Sequence, residues 1–316
     1  MKLNKRQKKN SHKKPTYSFR AFLIALLAFF GISLGSDILP DNANTNIITD
    51  SISTDVFRVH ILDVGQGLAV LIEAGEDTLL YDGGGADTSS FVVSYLQKQE
   101  ISDLDYCIAS HYDADHLSGI VGTLHKFEIG ALFAPDYIYD TKTYASFVNT
   151  AEEKALVIHH PASGESYPLG DGCIEILAPQ GTGYEDENDY SIVVKVSIGD
   201  SSLLLTGDAT NVSEAEMLDA GIDLASDILV LGHHGSYNST GIDFFNAVSP
   251  EYAVISCGKG NDYGHPHPRI INLLKDNALP LYRTDLQGTV CFTMTGDEII
   301  FDKSPCQDYA TGDEVR

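Results

Sequence analysis

Two kinds of residue are scarce in this sequence: cysteine and, beyond the first 20 positions, lysine and arginine. The five cysteines, Cys107, Cys173, Cys257, Cys291 and Cys306, are widely spaced and form no Cys-x-x-Cys, which excludes a zinc ribbon and a dithiol redox motif. Their odd number and scatter also argue against a disulfide framework. Of the 20 Lys and Arg, eight fall in residues 1–20, where there is no acid; the rest of the chain sets 12 basic against 45 acidic residues, a net charge of −33. Such a body repels polyanions at long range. It offers no stable basic face for nucleic acid, so a phosphate-bearing partner must be held by local donors. No internal repeat, low-complexity segment or multi-helix membrane region is present.

The longest apolar run, Ala21 to Gly35, is fifteen residues and follows the basic segment 1–20. A polar stretch over 36–55 comes next. Basic segment, short apolar run and the small residues Ser33-Leu34-Gly35 before Ser36 read as an export signal. Fifteen residues fall short of the roughly 20 that span a bilayer, and an uncleaved anchor over Tyr17 to Leu39 is the alternative. Either reading puts the body outside the cytoplasm, secreted or at the cell surface, with the N-terminus in contact with the membrane.

From Val56 the pattern becomes that of one α/β domain, expected over residues 56–303, with a polar tail over 304–316. Val56 to Val64 reads as a strand, and Leu68 to Ile72 and Thr78 to Tyr81 as a hairpin turning at Gly75-Glu76-Asp77. A helix is expected over 89–99 and a buried strand over Leu104 to Ala109. Further helices are read over Leu117 to Phe127, Tyr144 to Lys154, Ser213 to Ala220 and Arg269 to Asn277. Strands are read over Cys173 to Ala178, Ser191 to Ile198, Ser202 to Leu205, Ile228 to Leu231 and Tyr252 to Ser256, with a closing hairpin over Leu281 to Phe301.

The chemistry gathers where strands end, as it does in α/β architectures. Ser110-His111-Tyr112-Asp113-Ala114-Asp115-His116 packs four metal-ligating side chains into six positions. His111 and Asp113, at i and i+2, point to one side, and Asp115 and His116 follow, so one pair can serve one metal and the second its neighbour. Imidazole with carboxylate and without thiolate suits Zn²⁺, Mn²⁺ or Fe²⁺ in an open site. The competing reading is a solvated loop that caps the following helix. Thr206-Gly207-Asp208 ends a later strand, and Asp208 is placed to bridge two metals; alone, the same residues make a tight turn. Gly232-His233-His234-Gly235-Ser236 ends the next, and two adjacent histidines there have little packing value.

Taken in this order, the motifs resemble those of the metallo-β-lactamase-fold hydrolases. Asp63-Val64-Gly65-Gln66-Gly67, Asp82-Gly83-Gly84-Gly85 and Tyr263-Gly264-His265-Pro266-His267-Pro268 bring the chain closer to the nuclease-like domain of ComEC-type DNA-internalisation proteins. The resemblance implies a four-layer αββα sandwich with two divalent ions, Zn or Mn, at the edge between the sheets. His111 and Asp113 would hold the first, Asp115 and His116 the second, Asp208 would bridge, and His233 would be the last ligand. Asp113 replaces the histidine of the widespread His-x-His-x-Asp-His form, which hardens that site and tilts it toward Mn²⁺. The glycine-flanked histidine usual before the Gly-Asp strand is absent; Asn188, Asp189 or water would complete the first metal. Asp115 is expected to orient the attacking water, and His265 to protonate the leaving oxygen or clamp another oxygen. His234, Ser236 and Asn188 are expected to contact substrate, and Asp63 and Asp82 to support the fold around the ligands.

The implied activity is hydrolysis of a phosphodiester, single-stranded DNA among the candidates, by an exported enzyme. A small phosphoester or a cell-envelope substituent such as a phosphorylcholine ester is the alternative within the fold. The alternative outside enzymology is a metal-stabilised binding module.

Overall fold

A computed structural model describes residues 56–315; the basic, apolar and polar segments of residues 1–55 lie outside the described residues. The first half runs β1 (Phe57–Ile61), β2 (Val70–Ala74), β3 (Asp77–Tyr81), α1 (Ser89–Lys98), β4 (Asp103–Ile108), α2 (Ala114–Lys126), β5 (Glu128–Phe133), α3 (Lys142–Glu153) and β6 (Ile158–His159). The second runs β7 (Ser166–Leu169), β8 (Gly172–Ala178), β9 (Val193–Ile198), β10 (Ser201–Leu205), α4 (Asn211–Asp219), β11 (Ile228–Val230), α5 (Ile242–Val248), β12 (Tyr252–Ile255), α6 (Pro268–Asp276) and β13 (Leu281–Arg283). A short α7 (Thr284–Gln287) leads to β14 (Val290–Met294) and β15 (Ile299–Phe301).

These strands make two sheets, ordered β15-β14-β1-β2-β3-β4-β5-β6 and β13-β12-β11-β10-β9-β8-β7. Period-two alternation decides what each face meets. Phe57, Val59 and Ile61 of the first sheet and Val194, Val196, Leu203 and Leu205 of the second fill the core between the sheets. The intervening Leu71, Leu80 and Cys107 face outward onto α1, α2 and α3. Leu204, Leu229 and Ala253 face outward onto the α4, α5 and α6 side. The layers are therefore helix, sheet, sheet, helix. Strands buried on both faces account for the near-continuous apolar runs in the sequence.

β3, β4 and β5 are parallel neighbours, as are β10, β11 and β12, so the loops leaving their carboxyl ends gather at one edge. One backbone contact fixes the edge closely: a Cβ on Gly119 would lie 1.7 Å from the carbonyl oxygen of Gly83, so α2 sits directly on the Gly83-Gly84-Gly85 loop. Helix α2 also starts earlier than its apolar pattern suggests, which places Asp115 and His116 on its first turn.

Three expectations change. Leu281 to Phe301 is not a hairpin: β13 pairs in parallel with β12 in the second sheet, while β14 and β15 pair in the first. β5 is an additional central strand, hidden in the sequence by its leading Glu128 and internal Gly130. The tail after residue 303 is polar but packed, because Arg283, fully buried, donates to the carbonyl oxygen of Ala310, and Gly312 donates to that of Pro266. No helix among the described residues is long and apolar enough to cross a membrane.

Candidate metal centre

Asp82 follows β3 with a left-handed φ of 57° and is fully buried. Its carboxylate accepts from the Ser110 amide and hydroxyl, both at 2.7 Å, and from His116 Nδ1 at 2.7 Å. These bonds set two tautomers, that of His116, which donates through Nδ1, and through Ser110 that of His111. With the Ser110 proton given to Asp82, His111 Nδ1, 2.9 Å from Ser110 Oγ, must donate to it. His234 Nδ1 likewise donates to the Ser256 carbonyl oxygen at 3.0 Å. All three rings thus turn a bare Nε2 inward, the arrangement that carboxylates and carbonyls impose on metal-bound histidines.

The inward atoms converge. Nε2 of His116 and Nε2 of His234 are 3.1 Å apart, and Asp208 lies 3.2 Å from the first and 3.4 Å from the second. His111 Nε2 is buried with no hydrogen-bond partner, 4.0 Å from Asp208 and 3.7 Å from Asp113. Asp115 comes within 3.5 Å of His234. His111, His116 and Asp208 form one group of close donors and Asp115, His116 and His234 another. Two lone pairs cannot face each other at 3.1 Å without a positive charge between them, so the residues fit a cation. The donor set of imidazole and carboxylate matches Zn²⁺ and Mn²⁺ alike.

Without that cation, protons take its place. Burial opposes charge on His234, but the Asp208 carboxylate and the hydrogen bonds to Asp115 and Asp208 outweigh it and raise its pKa to about 9. Burial opposes charge on Asp208 too, yet His116 and His234 hold it well below the usual carboxylate range. One side of the centre is open: His111 and His116 side chains are inaccessible, while Asp113 and Asp115 are 36% and 34% exposed.

The two adjacent histidines exchange their expected places. Both lie in left-handed backbone, φ 50° for His233 and 57° for His234, a conformation that costs of order 1–3 kcal/mol for each. The turn sends His234 into the donor group and leaves His233 at its rim, 3.7 Å from Asp208 with a side chain 21% exposed. Asp189 turns its Oδ1 to the start of α4, where it accepts from Thr210 N, Thr210 Oγ1 and Ser213 N. Asn188 sits in a single 3₁₀ turn over Glu187–Tyr190, with a buried Oδ1 that has no partner. Ser236 is buried, but its amide donates to the His233 carbonyl oxygen at 2.8 Å and is not free for a phosphate. His265 borders the cluster, its ring centroid 5.6 Å from that of His233. Burial and the facing histidines lower its pKa to about 3, so the ring is neutral. Asp63 is exposed in a turn, its Oδ1 accepting from Gly65 N and its amide donating to Thr289 Oγ1.

One functional contact had no signal in the sequence beyond an aromatic-rich run: Tyr139 donates to Asp113 Oδ1 at 2.8 Å and steers that carboxylate.

The model of the Metallo-beta-lactamase superfamily matches residues 62–259, the span from β1 to the loop after β12 that carries most of these side chains. The chain belongs to that superfamily. Among curated superfamily relatives, it is 33% identical over 278 residues to "Competence protein ComA" of Neisseria gonorrhoeae, a match covering 86% of this chain and 35% of that one. It is 28% identical over 251 residues to "ComE operon protein 3" of Bacillus subtilis, covering 74% and 32%. The chain thus spans about a third of the length of these relatives, and its resemblance to ComEC-type proteins holds. Among solved structures, CmlA, a diiron beta-hydroxylase from Streptomyces venezuelae, shares the metallo-beta-lactamase fold at TM-score 0.51 and 15% identity, covering 76% of this chain and 54% of that one.

Proposed function

We propose that this chain is an exported metal-dependent phosphodiesterase, with single-stranded DNA as the substrate that the competence names of its relatives favour. The observation that carries the reading is the donor cluster itself, closed on its inner side by His111 and His116 and open on the side of Asp113 and Asp115. A purely structural site would be closed by protein ligands; an open one leaves room for water and substrate. His111 and Asp113 would hold one divalent ion, Asp115, His116 and His234 the other, and Asp208 both. Ions held there supply Lewis acidity toward a phosphoryl oxygen and lower the pKa of a water. Asp115 would orient the attacking water, while His233 and His265 would face the substrate side. The basic and apolar segments of residues 1–35 support export and a membrane contact.

The test uses the full-length chain with Mn²⁺ or Zn²⁺ against a single-stranded oligonucleotide and a chromogenic phosphodiester. Asp208→Ala is expected to remove at least about 100-fold of the activity, as loss of a group that positions the ions demands. Cleavage of neither substrate by the metal-loaded chain sinks the proposal. Turnover of the small ester alone would favour the phosphoester alternative, which the charge of −33 beyond residue 20 also suits.

A further inference from the structure

Gln66, in the turn between β1 and β2, has no part in the scheme above, yet its side-chain amide bridges two fixed groups. The Gly258 amide lies 3.2 Å from Gln66 Oε1, and Gln66 Nε2 lies 3.3 Å from His265 Nδ1. A backbone N–H can only donate, so the oxygen must face Gly258 and the NH₂ must face the histidine. That NH₂ can only donate in turn, so Nδ1 carries no proton and the ring proton sits on Nε2. A doubly protonated ring would set N–H against N–H.

Both partners are rigid. A Cβ on Gly258 would lie 2.6 Å from the Gln66 backbone nitrogen, so the two loops touch through their backbones. Asn261 accepts from the His265 amide at 3.0 Å and donates to its carbonyl oxygen at 2.6 Å, and the Tyr263 ring stacks on the imidazole at 22°. The histidine is 4% exposed, and no hydrogen bond from its Nε2 is made among the described residues.

We propose that Gln66 is a positioning residue that holds His265 as the Nε2–H tautomer, so that the ring donates a hydrogen bond to a substrate oxygen beside the metal centre and delivers no proton. The substrate contact rests on the phosphodiesterase reading; the tautomer does not. The leaving oxygen then takes its proton from water.

Long-range ¹H–¹⁵N correlation of the histidine rings reads the tautomer in the labelled full-length chain, before and after Zn²⁺ is added, with His265→Asn identifying the signals. The wild-type ring is expected to be protonated on Nε2 in both states. Gln66→Glu, whose carboxylate only accepts, is expected to draw the proton to Nδ1, and Gln66→Leu to leave a mixture. On a phosphodiester, Gln66→Glu is expected to lower kcat/KM by about tenfold at unchanged metal content, the scale of one hydrogen bond. A wild-type ring protonated on Nδ1 overturns the proposal without recourse to a variant. So does a Gln66→Glu variant that folds and keeps the wild-type tautomer, or one whose tautomer moves with no change in kcat/KM. Failure of the metal-loaded wild type to cleave any phosphoester is a different result; it ends the phosphodiesterase reading and with it the substrate contact, and leaves the Gln66–His265 tautomer standing.

Discussion

His116 and His234 meet nitrogen to nitrogen, and each has its outer nitrogen committed, to Asp82 and to the Ser256 carbonyl oxygen. The pair therefore needs one positive charge, and either a proton or a metal ion can supply it. The two have opposite pH signatures. In the metal-free chain the His234 pKa rises from an ordinary 6.5 to about 9, so its contribution to stability is complete below pH 6.5 and is lost as pH climbs through 9. The loss amounts to on the order of 3 kcal/mol. Metal binding needs the neutral ring and competes with that proton, so the stabilisation that metal adds should grow over the same interval. Urea denaturation at pH 6 and pH 9, with and without Zn²⁺, is expected to show opposite slopes, and His234→Gln to flatten the metal-free one. The order of His233 and His234 was not legible in the sequence, because it depends on two successive left-handed residues that send neighbouring side chains different ways. Tyr139 was illegible for another reason: nothing local ties it to Asp113, 26 residues away.

Elements whose faces are both buried were the most readable, since β8, β9, β10 and β12 announce themselves as short apolar runs, and the chemistry at their ends followed. Terminal elements were the least. β13 and β14 are separated by only six residues and look like a hairpin, but they belong to different sheets, a choice made by long-range pairing with β12 and β1. The start of α4 shows the same limit in a polar residue. Asp189 reads as a metal ligand by type and proximity in sequence, whereas its carboxylate accepts from Thr210 and Ser213 and anchors the helix behind Asp208. Asp189→Ala is expected to lower stability by about 1–3 kcal/mol, the penalty for stranding buried donors. Metal affinity measured by chelator competition should remain within about threefold of wild type. A large loss of affinity with unchanged stability would return Asp189 to the ligand set.

At the scale of the molecule, the charge beyond residue 20 sets 12 basic against 45 acidic residues, so a polyanion meets repulsion before it meets a ligand. Raising ionic strength from about 0.01 M to 0.15 M shortens the screening length from roughly 30 Å to 8 Å. For an oligonucleotide, kcat/KM is therefore expected to rise with salt across that range, the reverse of binding driven by phosphate contacts with lysine and arginine. A steep fall with salt would place a basic contact where none is seen in the sequence. The same view of the whole molecule gives the metal centre a second meaning. His111, Asp113, Asp115 and His116 hang from the first sheet, Asp208 and His234 from the second. Between the sheets there is otherwise mainly apolar packing, which attracts without specifying direction. Coordination does specify direction, so an ion at this edge is a hinge pin as much as a reagent: sliding one sheet over the other would register as a change in affinity, and filling the site would fix how the two halves of the chain are aligned.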